Sequence, residues 1–425
     1  MKAAVSSPDS PSRTATTPPG VDASRWPGVA TVPHSSLLRT EVASRVVRRA
    51  LGRLPLRVAL GGAPLTGDQG PVVRVRDPRA FFRRIGVDGL IGFGESYMAG
   101  EWDTDDLVGV LTVLASHVSS LVPRPLQQLR GLWAHRQPAA ERNSPQGART
   151  NVQRHYDLSN ALFALFLDET MTYSAGVFRS FPAPWSALAE AQRRKIDRLL
   201  DAARVGEGTR LLEIGTGWGE LALRAAARGA HVTTVTLSRE QRAHAVARIA
   251  EAGHAGRVSV ELCDYRQVRG EFDAIVSVEM VEAVGEEYWP VYFDTLSGLL
   301  TPGGRIALQA ITMPHDRMLA TRGTYTWIHK YIFPGGIIPS VEALGDAAAP
   351  AGLRTVSDEA FGPHYAETLR LWRERFAERH EDVQLLGFDA TFTRMWEFYL
   401  AYSEAGFRAR YLDVHHLVMA KAGAR

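Results

Sequence analysis

The 425-residue chain holds a single cysteine, Cys263, and that scarcity removes two solutions at once. No internal disulfide can form, and no zinc site built on cysteines is available. Long hydrophobic runs are also missing; nothing reaches the roughly 18 apolar residues of a membrane span, so no transmembrane helix is expected. The N-terminus lacks the apolar core of a secretory signal, so a cytoplasmic enzyme is the expectation. Net charge is only +3, but it is unevenly spread. Residues 1–150 carry 19 Lys and Arg against 12 Asp and Glu, and the remainder carries 30 against 34. A basic N-terminal part suits an anionic surface, either phospholipid or nucleic acid; a solvated arginine-rich face is the alternative.

What is present divides the chain. A hydrophobic content of 45% with 22% charged residues is ordinary for a globular protein, and the length favours two domains. Residues 1–35, rich in Ser, Thr, Pro and Ala, read as a disordered tail. Residues 36–123 read as a smaller N-terminal domain. It opens on an amphipathic helix between Leu37 and Leu60, with Val42, Val46, Val47, Ala50, Leu51 and Leu54 set against Arg45, Arg48, Arg49 and Arg53. That pattern suits a membrane surface, although core packing of the same stripe is equally consistent. A short strand at 72–75, a helix at 79–85 and a helix ending near Val118 follow. Residues 124–149 mix Pro, Gln, Arg and Gly and read as a linker.

Residues 150–425 alternate strand and helix. Strands are expected at Arg210–Ile214, His231–Thr236, Val258–Leu262, Ala274–Val278 and Arg305–Ala310. Helices are expected at Glu220–Ala227, Arg239–Glu251 and Tyr288–Leu300. The alternation predicts an α/β fold with a doubly wound parallel sheet, whose ligands gather at the C-terminal strand ends.

The most telling segment is Leu-Leu-Glu-Ile-Gly-Thr-Gly-Trp-Gly-Glu at 211–220. Gly215, Gly217 and Gly219 allow close approach of a ligand to backbone, and the next helix points its N–H groups at the turn. The spacing is neither the dinucleotide nor the Walker pattern. An acidic residue two before the first glycine is instead the S-adenosylmethionine (SAM) methyltransferase pattern. The second strand ends in Thr236-Leu237-Ser238, where Thr236, Ser238 and Gln241 offer hydrogen bonds; Ser238 is equally a helix cap. After the third strand, Asp264 could meet an adenine edge or cap a helix, and Tyr265 could stack. The fourth strand leads into Glu279 and Glu282, candidate acid–base or ligand-orienting groups; surface solvation of one of the two is the alternative, weighed more heavily for Glu279 than for Glu282. The same place lacks the Asn/Asp-Pro-Pro-aromatic motif of base-flipping methyltransferases, which argues against nucleic acid. His155-Tyr156-Asp157 with Met171 to Ser174 suggests a lid. The aromatic segments Lys330 to Gly336 and Phe361 to Tyr365 suggest a substrate channel or aromatic core.

Taken in order, these motifs resemble the cyclopropane fatty acid synthase family, which includes the mycolic acid cyclopropane synthases and related unsaturated-phospholipid methyltransferases. The likeness runs from about Leu37 onward and includes Gly-Glu-Ser-Tyr-Met, His-Tyr-Asp, Leu-Glu-Ile-Gly-x-Gly-Trp-Gly, Lys-Tyr-Ile-Phe-Pro-Gly-Gly and Gly-Phe-Arg-Ala-Arg. It implies a SAM-dependent enzyme acting on cis double bonds of acyl chains at the inner membrane face, as a homodimer. Tyr173, Ser174, Gly215, Thr216, Gly217, Thr236, Leu237, Ser238, Gln241, Tyr265 and Arg266 would line the SAM site. A bicarbonate ion acting as base would be held by Ala175, Glu282, Gln309, Ile311 and Tyr365. Glu282, Tyr365, Gln309 and Ser403 are the catalytic candidates. Four positions depart from the family: Ala175 and Ser403 replace cysteines, and Ala283 and Gln309 replace histidines. The Leu-Gln-Ala-Ile-Thr segment around Gln309 resembles the branch that begins 10-methyl (tuberculostearic) acid synthesis. That likeness implies a methylene product, passed to a separate reductase, rather than a cyclopropane ring.

Overall fold

The computed structural model describes residues 20–67, 69–118, 138, 143–144, 147–148 and 159–422. The segment His155-Tyr156-Asp157, residues 1–19 and most of the expected linker lie outside them.

The N-terminal part carries a three-stranded sheet of β1 (Arg57–Leu60), β2 (Val72–Val75) and β3 (Trp102–Asp103). The larger sheet has seven strands: β4 (Arg210–Ile214), β5 (His231–Thr236), β6 (Val258–Leu262), β7 (Phe272–Val278), β8 (Leu300–Thr312), β9 (Leu353–Ala360) and β10 (Asp413–Lys421). Their spatial order is β6-β5-β4-β7-β8-β10-β9. The first five are parallel, as their intervening helices require. The expectation of a parallel sheet fails at the far edge, where β10 runs antiparallel to both β8 and β9. Edge strand β9 exposes all but Leu353, so it carries no apolar alternation to announce it.

Helices cover both faces. Leu188–Ala202 and Glu220–Ala227 bury Leu199, Leu200 and Leu221 on one side, and Trp289–Leu299 with Val341–Ala348 buries Phe293, Leu296 and Leu344 on the other. Strand order reverses between β4 and β7, and that is where a crevice opens at the strand ends.

Two N-terminal expectations are corrected. Residues 20–35 are not a loose tail: a short helix, Pro27–Ala30, buries Val29 and Ala30. The basic helix ends at Leu51, where Gly52 follows, and its expected last turns are β1. The N-terminal part also shares one apolar cluster with the catalytic body, joining Phe81, Trp102, Trp327 and Trp396. Helix Leu90–Met98 packs so closely there that a Cβ on Gly94 would meet Trp327 Cδ1 at 2.3 Å. That approach explains the glycine of Gly-Glu-Ser-Tyr-Met.

Arg84 pins this junction. Fully buried, it bonds Glu101 at 2.8 Å, lies 3.7 Å from Glu95, and donates to the carbonyls of Gly28 and Val29. Glu95 in turn accepts from Lys330 Nζ and Tyr331 Oη of the downstream aromatic segment. Burial lifts the Glu101 carboxyl to about 7 despite this guanidinium. Arg84→Ala would strand the buried Glu101 carboxyl and the carbonyls of Gly28 and Val29, and a loss of about 3–5 kcal/mol in denaturant unfolding is expected. A loss under about 1 kcal/mol would show that the cluster does not hold the junction.

Candidate active site

β4 delivers the glycine turn to the crevice. Gly215, Gly217 and Gly219 have φ of 99°, 51° and 93°, a region costly for other residues. Around Gly217 nothing lies within 4 Å of a built Cβ, so its backbone is open to a ligand. Thr216 is fastened to Thr234 by a 2.7 Å hydroxyl pair, and Trp218 Nε1 donates to Asn160. The Glu213 carboxyl bonds Thr234 inside the sheet, leaves Oε2 without a partner, and is pushed up to about 8 by burial. Helix Glu220–Ala227 starts at Gly219 and aims its free N–H groups at the turn.

These groups open on one cavity of about 1950 Å³. Tyr173, Ser174, Gly215, Thr216, Gly217, Thr236, Leu237, Gln241, Tyr265 and Arg266 all line it. Ser238 does not; its hydroxyl accepts from Gln241 N–H and caps helix Arg239–Glu251. Asp264 lines the cavity too, and it also caps the turn at Tyr265–Gln267 and grips Arg266 through both oxygens. The Tyr265 ring packs edge-on to Tyr292, with its buried hydroxyl unpartnered.

The end of β7 brings the larger surprise. Glu279, for which solvation weighs more heavily than for Glu282, turns inward at φ 51° while its N–H donates to the Gln309 carbonyl. Its Oε1 accepts from Ala175 N–H at 3.0 Å and from Gln309 Nε2 at 2.7 Å, and its Oε2 accepts from the Tyr365 hydroxyl at 2.6 Å. The carboxylate is half-buried and faces the cavity. Burial raises its pKa, and the Tyr365, Ala175 and Gln309 bonds oppose that rise. Behind it, β10 places His416 opposite Gln309 on β8. His416 Nε2 lies 2.9 Å from Gln309 Oε1, and burial drives the imidazole down to about 3, so the ring is neutral. With Glu279 ionised, the Gln309 amide presents its NH2 to it, and Nε2 of His416 then carries the proton.

Glu282, in the one-turn helix Val281–Ala283, accepts from Ile311 N–H, and its Oε2 is buried without a partner. Burial and then the nearby Glu279 push its pKa to about 8. Lys195 donates to Ser174 Oγ at 2.6 Å and is held down to about 8 by burial, against the pull of Glu279 first. Tyr173 and Tyr399 share a 2.6 Å hydroxyl bond, and Ser403 joins the wall from helix Ala390–Arg408.

The five expected bicarbonate holders therefore do come together, but their donors are engaged. Glu279 takes Ala175, Gln309 and Tyr365, and Glu282 takes Ile311. Of these residues only Glu282, whose unpartnered Oε2 can carry a proton, keeps a free donor, so a bicarbonate would find one donor and an adjacent Glu279 carboxylate where five holders were expected, and it does not fit the set as built. Glu279, Lys195 and His416 were the functional groups least legible beforehand. Only the position of Glu279 at a strand end hinted at its place.

Residues 143–417 match the family model for mycolic acid cyclopropane synthetase. A relative from Mycobacterium tuberculosis named tuberculostearic acid methyltransferase UfaA1 is 55% identical over 95% of this chain and 97% of its own. Cyclopropane-fatty-acyl-phospholipid synthase of Escherichia coli K12 is 31% identical over 85% of the chain and 90% of its own. Among solved structures, mycolic acid cyclopropane synthase CmaA1 complexed with SAH and CTAB superposes with a TM-score of 0.59. It is 31% identical, over 67% of this chain and 99% of that one.

The carboxyl shifts set a pH dependence. Glu213 and Glu282 keep a proton in the folded state up to about 8 that the unfolded chain has already released. Stability from these groups is thus lost as pH rises toward 8. His416 and His329, lowered to about 3 and about 4, act oppositely but only below the ordinary histidine range. The thermal midpoint should therefore fall between about pH 6.5 and 8, and Glu282→Gln should make that fall shallower. An unchanged slope in scanning calorimetry would remove Glu282 from the set of buried protonated acids.

Proposed function

Because the chain belongs to the mycolic acid cyclopropane synthetase family, as a SAM-dependent C-methyltransferase, we propose that it methylates the cis double bond of oleoyl chains in phospholipids. The product is a 10-methylene acyl chain, which a separate reductase converts to the 10-methyl branch. The observation that carries this reading is that one cavity is lined both by the glycine turn and by the apolar residues of the N-terminal basic helix. Leu38, Val42, Val46 and Ala50 of that helix line it with Leu90, Phe93 and Leu111. The 55% identical relative, named for tuberculostearic acid, supports the methylene branch over the ring.

The turn fits SAM on its own evidence: three left-handed glycines, open backbone at Gly217, and unpartnered buried oxygens on Glu213 and Tyr265. When bound there, SAM supplies an electrophilic methyl group on a sulfonium. The chain's part is placement and exclusion of water around an alkene held beside that methyl. Tyr173, Tyr365 and Tyr399 line the wall, where ring faces stabilise a developing carbocation. Above the cavity, Phe407 packs 4.5 Å from Tyr365 and keeps its ring in place.

The membrane side of the reading rests on helix Leu37–Leu51. It has no buried residue, it exposes Leu37 by 79% and Leu38 by 76%, and Arg45, Arg48 and Arg49 are exposed beside them. No described helix is long and apolar enough to cross a bilayer. The helix is proposed to rest on anionic lipid and open the cavity to acyl chains, at the inner face of the membrane.

Two measurements test this. Expressed alone in a host rich in oleate, the chain should produce a methylene-branched acid; a cyclopropane as sole product would overturn the product assignment. Replacing Leu37 and Leu38 together by Asp should weaken co-sedimentation with anionic vesicles by at least about tenfold, given the apolar burial lost. Undiminished binding would place the docking surface elsewhere.

A further inference from the structure

We propose that Glu279 is the base of the reaction, an internal carboxylate standing where the family resemblance calls for bicarbonate. The inference rests on the methyl-transfer reading above and names the group that completes it.

Three independent features converge on this side chain. First is location: Glu279 directly follows β7, which pairs with β4 through Ser277 and Ile214. Its neighbour Met280 crowds Gly215, lying 2.7 Å from where a Cβ would stand. The carboxylate is thus beside the turn that holds the methyl donor, and it lines the same cavity. Second is the donor set. Three protein donors from three separate segments converge on it, all neutral: a backbone N–H, an amide NH2 and a phenol. Neutral donors stabilise an anion without neutralising it, and they occupy three of the roughly four lone-pair sites of a carboxylate. The one left over is on Oε2. Third is contrast with its neighbours. Glu282 and Glu213 each have one or more oxygens without a donor and are pushed to about 8, whereas Glu279 has three donors that oppose the upward push of its burial. Two carboxyls whose surroundings drive them apart divide the acid and base roles.

The step balances. The alkene π electrons form a bond to the methyl carbon as its C–S bond breaks, releasing S-adenosylhomocysteine and leaving a cation on the adjacent chain carbon. A hydride moves from the methylated carbon to that neighbour. A C–H bond of the new methyl then breaks, its electrons form the C=CH2 bond, and Oε2 of Glu279 takes the proton. The carboxylic acid returns it to water when the products leave.

The test uses the purified full chain, SAM and dioleoyl phosphatidylglycerol vesicles, with lipid products read by mass spectrometry. Assays run in buffer purged of carbon dioxide and in buffer with added bicarbonate. The unmodified chain should turn over equally in both. Glu279→Gln should lose at least about 100-fold, the usual worth of a general base, while SAM affinity stays within about threefold. Glu279→Gly suits the positive φ and opens a hole over the three donors, so it should be inactive in purged buffer and recover at least about tenfold with bicarbonate. A merely structural role would not produce that rescue. Loss of wild-type turnover on removing bicarbonate, or an active Glu279→Gln, would overturn the assignment. If the unmodified chain methylates no lipid in either buffer, the proposed activity itself fails and the assignment falls with it.

Discussion

Charge held away from water must be matched on the spot, and this fold is organised by two places where it is. At one, Arg84 gathers Glu95, Glu101 and the carbonyls of Gly28 and Val29, and Glu95 extends the link to Lys330 and Tyr331. At the other, Lys195 stands among Glu279, Asp168 and Glu213 beneath the glycine turn. The first locks the N-terminal part onto the catalytic body, so the helix lining the cavity has a fixed relation to the turn. The second loads the crevice floor with carboxyls and one cation. Without the first the cavity has no wall, and without the second it has no chemistry.

The sheet edge explains how the second place is assembled. Parallel strands β4 and β7 end side by side and deliver Gly215 and Glu279 to one crevice. Antiparallel β10, returning along β8, brings His416 under Gln309 from the opposite chain direction. A purely parallel sheet would present only strand ends to that spot. The left-handed backbone at Glu279 costs of order 1–3 kcal/mol, and three hydrogen bonds from Ala175, Gln309 and Tyr365 hold it there.

Much of this was legible in the chain because it is local. β4, β5 and β6 and the helices Glu220–Ala227 and Arg239–Glu251 fall where the apolar pattern and the caps place them. The glycine turn needs only ten residues to declare itself. What escaped depends on distant partners. Glu279 reads as a charged residue leaving a strand until Ala175, Gln309 and Tyr365, up to 104 positions away, are folded against it. The helix at Pro27–Ala30 lies in a polar, proline-rich stretch and is fixed by Arg84 and by Asp389, which accepts from Trp26. β9 is too exposed to show a pattern at all.

Gln309 then takes on a different meaning from a lost histidine. A histidine beside an anion carries a proton or not according to pH, and either passes it on or repels a second cation. The Gln309 amide has no such freedom: His416 holds its oxygen, so its NH2 faces Glu279 at every pH where the ring stays neutral. With a donor that cannot titrate on one side and a phenol driven far above its ordinary range on the other, a proton arriving on Glu279 has no acceptor behind it. It leaves only by the cavity. Proton removal and product release are thereby tied to the same opening, and a carbocation on the acyl chain meets the Glu279 carboxylate before water arrives.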